Sequence, residues 1–281
     1  MSIKQQIPNT LTCINILCGC VSLVYAANGQ FIWSSYVIFI AVLFDFADGL
    51  TARILSAQSP LGKQLDSLAD MVSFGVAPGF LMYQLMISLV ELKPLMSPDT
   101  FIHPLIEEYQ GLTFIDDLFP YIAFIIPVFT AIRLAKFNLD PSQTTEFKGL
   151  ASPGNAVFMA GLSIYIVPEI ESIADGLKNL GVNSNSIEPD FVTVFLIGLG
   201  TTIVIMSGIM IVPIRMFSFK FANVKWKDNE IRYIFLLACL AVISFALLSE
   251  NLFAAIPIII LLYVGLSMIH NLFRKKDEIQ S

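Results

Sequence analysis

Four aspartates, Asp45, Asp48, Asp66 and Asp70, lie at the polar ends of strongly apolar sequence, in the segments FDFADGLTAR and LGKQLDSLAD. Ionisable side chains at membrane depth are costly and normally face a cavity or a partner. On a helix, Asp45 and Asp48 are three residues apart and Asp66 and Asp70 four apart, so each pair projects from one face. Only Arg53 and Lys63 are close enough in sequence to offset them. Divalent cations relieve the repulsion directly, and carboxylate oxygens without histidine or cysteine favour Mg²⁺ or Mn²⁺ over zinc. Two such ions would balance four carboxylates and clamp the oxygens of a diphosphate, an arrangement suited to phosphoryl displacement. One ion, with the fourth carboxylate neutral or acting as a base, is the alternative.

Small residues flank these carboxylates. Gly49 follows Asp48, Gly62 precedes Asp66, and Ala52 is small as well. Such residues admit a ligand or a facing helix, and helix packing alone would also explain any one of them. Eight residues separate Asp45 from Arg53, about 12 Å along a helix, so the carboxylates sit shallowly beneath one membrane surface. At that depth a lipid diphosphate reaches them laterally while a water-soluble acceptor enters from the aqueous side.

The elements that must position them follow from composition. Of 281 residues, 56% are apolar and 14% charged, and the mean hydropathy is +0.76, which excludes an ordinary soluble enzyme. The apolar residues come in long unbroken runs, against a porin-type barrel. A net charge of −6 offers nothing to nucleic acid. Apolar runs predict eight spans, near 11–27, 31–54, 69–91, 118–136, 151–169, 191–213, 231–249 and 252–273, each near the ~20 residues a bilayer needs. Residues 11–27 read as a span rather than a secretory leader, because Asn15 interrupts the run and further spans follow. Residues 92–117 read as a loop, and the whole chain as one all-α membrane domain.

Charge sorting tests this topology independently of hydropathy. With a cytoplasmic N-terminus and eight spans, fourteen of the sixteen basic residues fall inside, leaving Lys93 and Lys178 outside. Asp116, Asp117, Glu169, Glu171 and Glu250 are among the acids on the far side. This is a positive-inside protein with both termini cytoplasmic, and the carboxylates face the cytoplasm. Trp33 and Trp226 read as interface markers. The four cysteines, Cys13, Cys18, Cys20 and Cys239, lie in apolar sequence without metal-ligand spacing and read as small hydrophobes. His103 and His270 lack such company too.

Written out, Asp45-x2-Asp48-Gly49-x2-Ala52-Arg53-x8-Gly62-x3-Asp66-x3-Asp70 resembles the complete signature of the CDP-alcohol phosphotransferase family. The resemblance implies a six-helix membrane core, here residues 1–213, to which 231–273 would add two peripheral helices, and it implies a homodimer. It also implies transfer of a phosphatidyl or similar group from a CDP-linked lipid to an alcohol, with release of CMP. Carried over, Asp45, Asp48, Asp66 and Asp70 become metal ligands, with Asp70 also the general base. Asp48, Gly49, Ala52, Arg53 and Gly62 would surround the CDP moiety. The segment from Pro8 to Asn15 resembles the family's N-terminal stretch, whose polar residues close the nucleotide pocket. Asn9, Thr12 and Asn15 share a helical face at a spacing of three, and helix capping by Asn9 or Thr10 is the competing explanation.

The signature leaves the acceptor open. The segments Ala131 to Asn138 and Phe147 to Ala156 resemble two stretches of the family's phosphatidylserine synthase branch, with Lys136 where arginine is commoner. That resemblance implies CDP-diacylglycerol and L-serine as substrates, phosphatidylserine and CMP as products, and a bacterial-type inner membrane as the location. Arg133 offers a planar fork for a carboxylate or phosphate and Lys136 a compact cation one turn away. Arg133, Lys136 or Asn138 would contact the serine carboxylate, and Lys148 a lipid phosphate. Simple anchoring at a cytoplasmic helix end accounts equally for each cation taken alone. Other readings are a sister enzyme using glycerol phosphate or inositol phosphate, an intramembrane prenyltransferase, and a cation transporter. The tight hairpin of carboxylates argues against the last two.

Overall fold

The computed structural model describes residues 3–92, 118–139, 147–180, 190–217, 225–249 and 251–280. Its helices are α1 (Ile3–Ala27), α2 (Phe31–Ile54), α3 (Pro60–Asp70), α4 (Ala77–Leu92), α5 (Ile125–Leu139), α6 (Ser152–Leu180), α7 (Asp190–Ile211), α8 (Trp226–Leu248) and α9 (Ala255–Gln280). A π-helical turn, Met71–Val76, joins α3 to α4, and a 3₁₀ turn, Phe119–Phe124, leads into α5. All eight predicted spans are thus helical. Six helical stretches among the described residues are long and apolar enough to cross a membrane. Beside them stand α2 and α6, which carry charged residues. The protein is an all-α membrane protein, and large apolar side chains such as Leu43, Phe245 and Leu248 are exposed on its outer face, where lipid would lie.

Local chemistry explains the ends that matter. Gly29 adopts φ +72°, and its N–H donates to the Ala26 carbonyl while that of Gln30 donates to Tyr25, the paired bonds of a left-handed helix stop. That turns α1 back as a hairpin onto α2, where Ser22 and Ser34 hydroxyls meet at 2.8 Å, polar glue in an apolar setting. Ser59 caps α3 by accepting from the Gly62 N–H at 3.0 Å, with Pro60 in the first turn, where a missing N–H costs nothing.

Two boundaries depart from the expectation. The first helix begins at Ile3 rather than near 11, with Pro8 inside it, so neither Asn9 nor Thr10 is a cap. The Thr10 hydroxyl donates instead to the Gln6 carbonyl. The third helix begins at Pro60 rather than 69, because the Ser59 cap starts it in polar sequence that hydropathy alone discounts. The loop expected beyond Leu92, with Lys93 and His103, lies outside the described residues.

A buried core of Ile38, Phe74, Leu81, Met82, Leu85, Met86, Ile126, Phe158, Met159, Ile203 and Met206 ties α2, α4, α5, α6 and α7 together. Cys13 and Cys20 are exposed rather than packed inside, and Cys18 and Cys239 only partly covered. Trp33 and Trp226 are also exposed. One feature has no counterpart in the sequence reading: an antiparallel pair of short strands, β1 (Phe147–Lys148) and β2 (Arg215–Met216), with Lys148 opposite Arg215. Gly149 follows β1 at φ +76°, where a side chain would collide with the Met210 carbonyl, and its N–H donates to the Ile214 carbonyl at 2.8 Å.

Gly149→Ala therefore loses roughly 1–2 kcal/mol to backbone strain, and the collision with Met210 adds to that. A lower midpoint of thermal unfolding in detergent is the expected outcome; an unchanged midpoint would show that the turn relaxes freely.

Candidate active site

The carboxylates come from two antiparallel helices joined by a short turn. Asp45 and Asp48 occupy the second half of α2, and Asp66 and Asp70 the second half of α3. One oxygen each from Asp45, Asp48 and Asp66 can be chosen so that all lie within 4.8 Å of one another. Asp70 is close enough to interact electrostatically with Asp45, Asp66 and Arg133. Its Oδ1 is buried with no hydrogen-bond partner, so burial is uncompensated by protein donors there.

This donor set suits a hard divalent ion. Oxygens within 4.8 Å of one another can close on a single ion with ligand bonds of ~2.1 Å as the side chains adjust. All donors are oxygens, the set is acidic, and the orphaned Asp70 oxygen stands beside it. Among the described residues no other group of this kind gathers.

Asp48 is held from α1. The Thr12 hydroxyl lies 2.5 Å from Asp48 Oδ2 and 3.1 Å from the Pro8 carbonyl. It has one proton to give, and the shorter contact to a carboxylate is the stronger one. Thr12 is buried, as is Asp48 at 5% exposure, so this bond replaces water that the carboxylate has lost. Asn15, one turn further along the same face, is fully buried with neither side-chain polar atom partnered. Its carbonyl accepts from the Ser73 hydroxyl at 2.8 Å, which fastens α1 to the π-helical turn immediately after Asp70.

A cavity of about 730 Å³ opens beside the carboxylates. Asn9, Thr12, Asp48, Gly49, Ala52, Arg53 and Gly62, the whole of the predicted CDP set, line it together with Asp66. Nothing lies within 4 Å of where a Gly49 side chain would be, so Gly49 faces open space and is not a helix-packing glycine. Gly62 differs: a Cβ there would sit 3.1 Å from Asn9 Oδ1 and from Ser59 Oγ, so its absence lets α3 approach α1. Lys63 and Phe137 also line the cavity. Lys63 was singled out from the sequence only as a charge near the carboxylates, since it occupies an unspecified position of the signature, and Phe137 was not singled out because it arrives from α5.

The predicted acceptor residues divide. Arg133, Lys136 and Lys148 line a second cavity of about 390 Å³, walled by Leu139 and by Met210 to Pro213 at the end of α7. Arg133 links the two regions, since it interacts with Asp70 while its Nη1 donates to Ser152 Oγ at 2.8 Å. Its Nε is buried without a partner. Asn138 does not line this cavity. Its Nδ2 donates to Ser67 Oγ at 2.9 Å, one residue from Asp66, because its place on α5 turns it toward α3.

The sequence profile of the CDP-alcohol phosphatidyltransferase family matches residues 5–182, which contain every carboxylate and cation just described. The chain belongs to the CDP-alcohol phosphatidyltransferase family. Proteins named CDP-diacylglycerol–serine O-phosphatidyltransferase are similar to it. One from Mycobacterium leprae is 32% identical over 166 residues, covering 56% of this chain and 46% of that protein. One from Helicobacter pylori is 30% identical, covering 54% of each. A relative from Bacillus subtilis is 31% identical over 180 residues, covering 64% of this chain and 88% of its own length. The chain thus spans about half the length of the mycobacterial and Helicobacter relatives.

For this family member, Mn²⁺ binding followed by electron paramagnetic resonance is the direct check on the carboxylates. Asp66→Asn removes a ligand charge and weakens binding at least tenfold. Thr12→Val, which removes only the support of Asp48, weakens it by about tenfold. Wild-type affinity in Asp66→Asn would dismiss the cluster as a metal centre.

Proposed function

We propose that the protein transfers the phosphatidyl group of CDP-diacylglycerol to the hydroxyl of L-serine, giving phosphatidylserine and CMP. The observation that carries this reading is the meeting of the Asp45, Asp48 and Asp66 oxygens beside one cavity lined by the signature and by Asn9 and Thr12. The names of the relatives support serine as the acceptor. Resident divalent ions, Mg²⁺ or Mn²⁺ held by Asp45, Asp48, Asp66 and Asp70, would neutralise the diphosphate and the charge that develops on the departing phosphate.

The remaining work falls to the chain's own groups. Arg53 and Lys63 line the nucleotide cavity and offer charge to the diphosphate. Asp70 accepts the proton of the serine hydroxyl as that oxygen forms its bond to the β-phosphorus. The bond from the β-phosphorus to the bridging oxygen breaks, and CMP leaves with the electron pair. The proton passes from Asp70 to solvent. Arg133, held by Ser152 and close to Asp70, orients the acceptor carboxylate, with Lys136 and Lys148 further along the same cavity. In this reading residues 1–213 form the catalytic core, the site opens to the cytoplasm of a bacterial-type inner membrane, and the charge sorting of the spans supports that orientation.

The test is acceptor competition on CDP-diacylglycerol. CMP release rises with L-serine and stays at background with glycerol 3-phosphate or inositol phosphate. Release without serine dependence would overturn the acceptor, and pyrophosphate in place of CMP would overturn the reaction class. Asp70→Asn lowers kcat by about 10²–10⁴-fold while Mn²⁺ and nucleotide still bind; normal turnover would remove Asp70 as the base. Arg133→Ala chiefly raises the KM for serine.

A further inference from the structure

The last two helices look dispensable by sequence. They lie beyond the residues matched to the family, and the expectation is a peripheral addition. Their contacts say otherwise. The wall of the basic cavity, Met210 to Pro213, leaves the end of α7 and runs directly into β2. A non-helical backbone packed against helices must have its buried polar groups satisfied by protein.

Part of that satisfaction comes from α9. The Tyr263 hydroxyl donates to the Phe217 carbonyl at 3.1 Å, and Asn271 Nδ2 donates to the Arg215 carbonyl at 2.6 Å. The Phe217 ring is clasped as well. It stands edge-on to Tyr263 with centroids 4.8 Å apart and edge-on to Phe235 of α8 at 5.6 Å, a geometry favourable to aromatic pairs. Both helices therefore hold one short segment, residues 215–217.

The segment in turn sets the cavity. β2 pairs with β1, which places Lys148 opposite Arg215. Gly149 and Leu150, just past Lys148, donate to the carbonyls of Ile214 and Ile209. The cavity wall is thus pinned on one side by α7 and on the other by α9. Lys148 lines the cavity from a strand, β1, that is anchored to β2.

We propose that Tyr263 and Asn271 are positioning residues for the acceptor cavity, holding β2 so that β1 presents Lys148 and the Met210–Pro213 wall closes beside Arg133. This rests on the reading of that cavity as the acceptor site. The two helices are then part of the machinery that selects the acceptor, acting through backbone carbonyls rather than by touching substrate.

The experiment compares full-length Tyr263→Phe, Asn271→Leu and Lys148→Met proteins, and the Tyr263→Phe/Lys148→Met double variant, in detergent with CDP-diacylglycerol and L-serine. Tyr263→Phe keeps the ring clasp and removes only the donor. Each α9 variant raises the serine KM by about five- to tenfold, the size of one lost hydrogen bond, with kcat and the CDP-diacylglycerol KM within about twofold of wild type. The double variant shows less than the product of the single effects, because both act on the same cation. Asn271→Gln, which keeps a donor, recovers most of the loss.

An unchanged serine KM in the folded α9 variants, beside a raised one in Lys148→Met, would overturn the positioning role and leave the acceptor cavity standing. An unchanged serine KM in Lys148→Met would overturn the acceptor cavity itself and the proposal with it. A fall in kcat together with a rise in both KM values and a lower unfolding midpoint would mark Tyr263 and Asn271 as merely structural, which also overturns it.

Discussion

The structure is organised around like charges kept where hydrocarbon should be. Asp45, Asp48 and Asp66 bring oxygens to within 4.8 Å of one another, and Asp70 stands beside them with a buried, unpartnered oxygen. In a medium of low polarity such a cluster is untenable unless positive charge and donors offset it. What surrounds the carboxylates follows from that need: the Thr12 hydroxyl on Asp48 and Arg133 near Asp70, with an all-oxygen donor set that could hold a divalent ion.

Each of these compensations draws in another element. Thr12 requires α1 to lie along α2, and Asn15 brings α1 against the π-helical extension of α3, where its backbone carbonyl accepts from the Ser73 hydroxyl. An extra residue in that turn changes the helical phase just beyond Asp70, so the carboxylate pair and the packed face of α4 need not share one stripe. Arg133 brings in α5 and, through Ser152, the start of α6. The start of α6 is reached from β1, whose partner β2 is fastened to α9. A chain of polar and backbone links thus runs from the clustered carboxylates to the last helix, inside a bundle otherwise packed by Leu, Ile, Phe and Met.

The signature was legible because its geometry is local. Asp45 with Asp48, and Asp66 with Asp70, share helical faces by spacing alone, and both pairs lie on regular helix. That all eight stretches are helical was legible from unbroken apolar runs, six of them, among the described residues, long and apolar enough to cross a membrane. Where the reading slipped, a polar stretch was helical for reasons that hydropathy does not weigh. Ser59 and Pro60 start α3 nine residues early, and Pro8 is absorbed within α1. Asn138 was grouped with Arg133 and Lys136 by proximity in sequence, yet it bonds Ser67, since neighbouring residues on a helix point in different directions.

By itself, then, the amino-acid order determined membrane insertion, the apolar helical runs, the paired carboxylates and the family signature, because each depends on composition or on intervals of a few residues. Tertiary structure alone decided which atoms meet: Thr12 on Asp48 across 36 positions, the division of the basic residues from Asn138, and the grip of α9 on a strand 56 positions upstream. Those pairings depend on how helices cross and turn against one another. Packing of many side chains sets that, and no short interval of sequence encodes it.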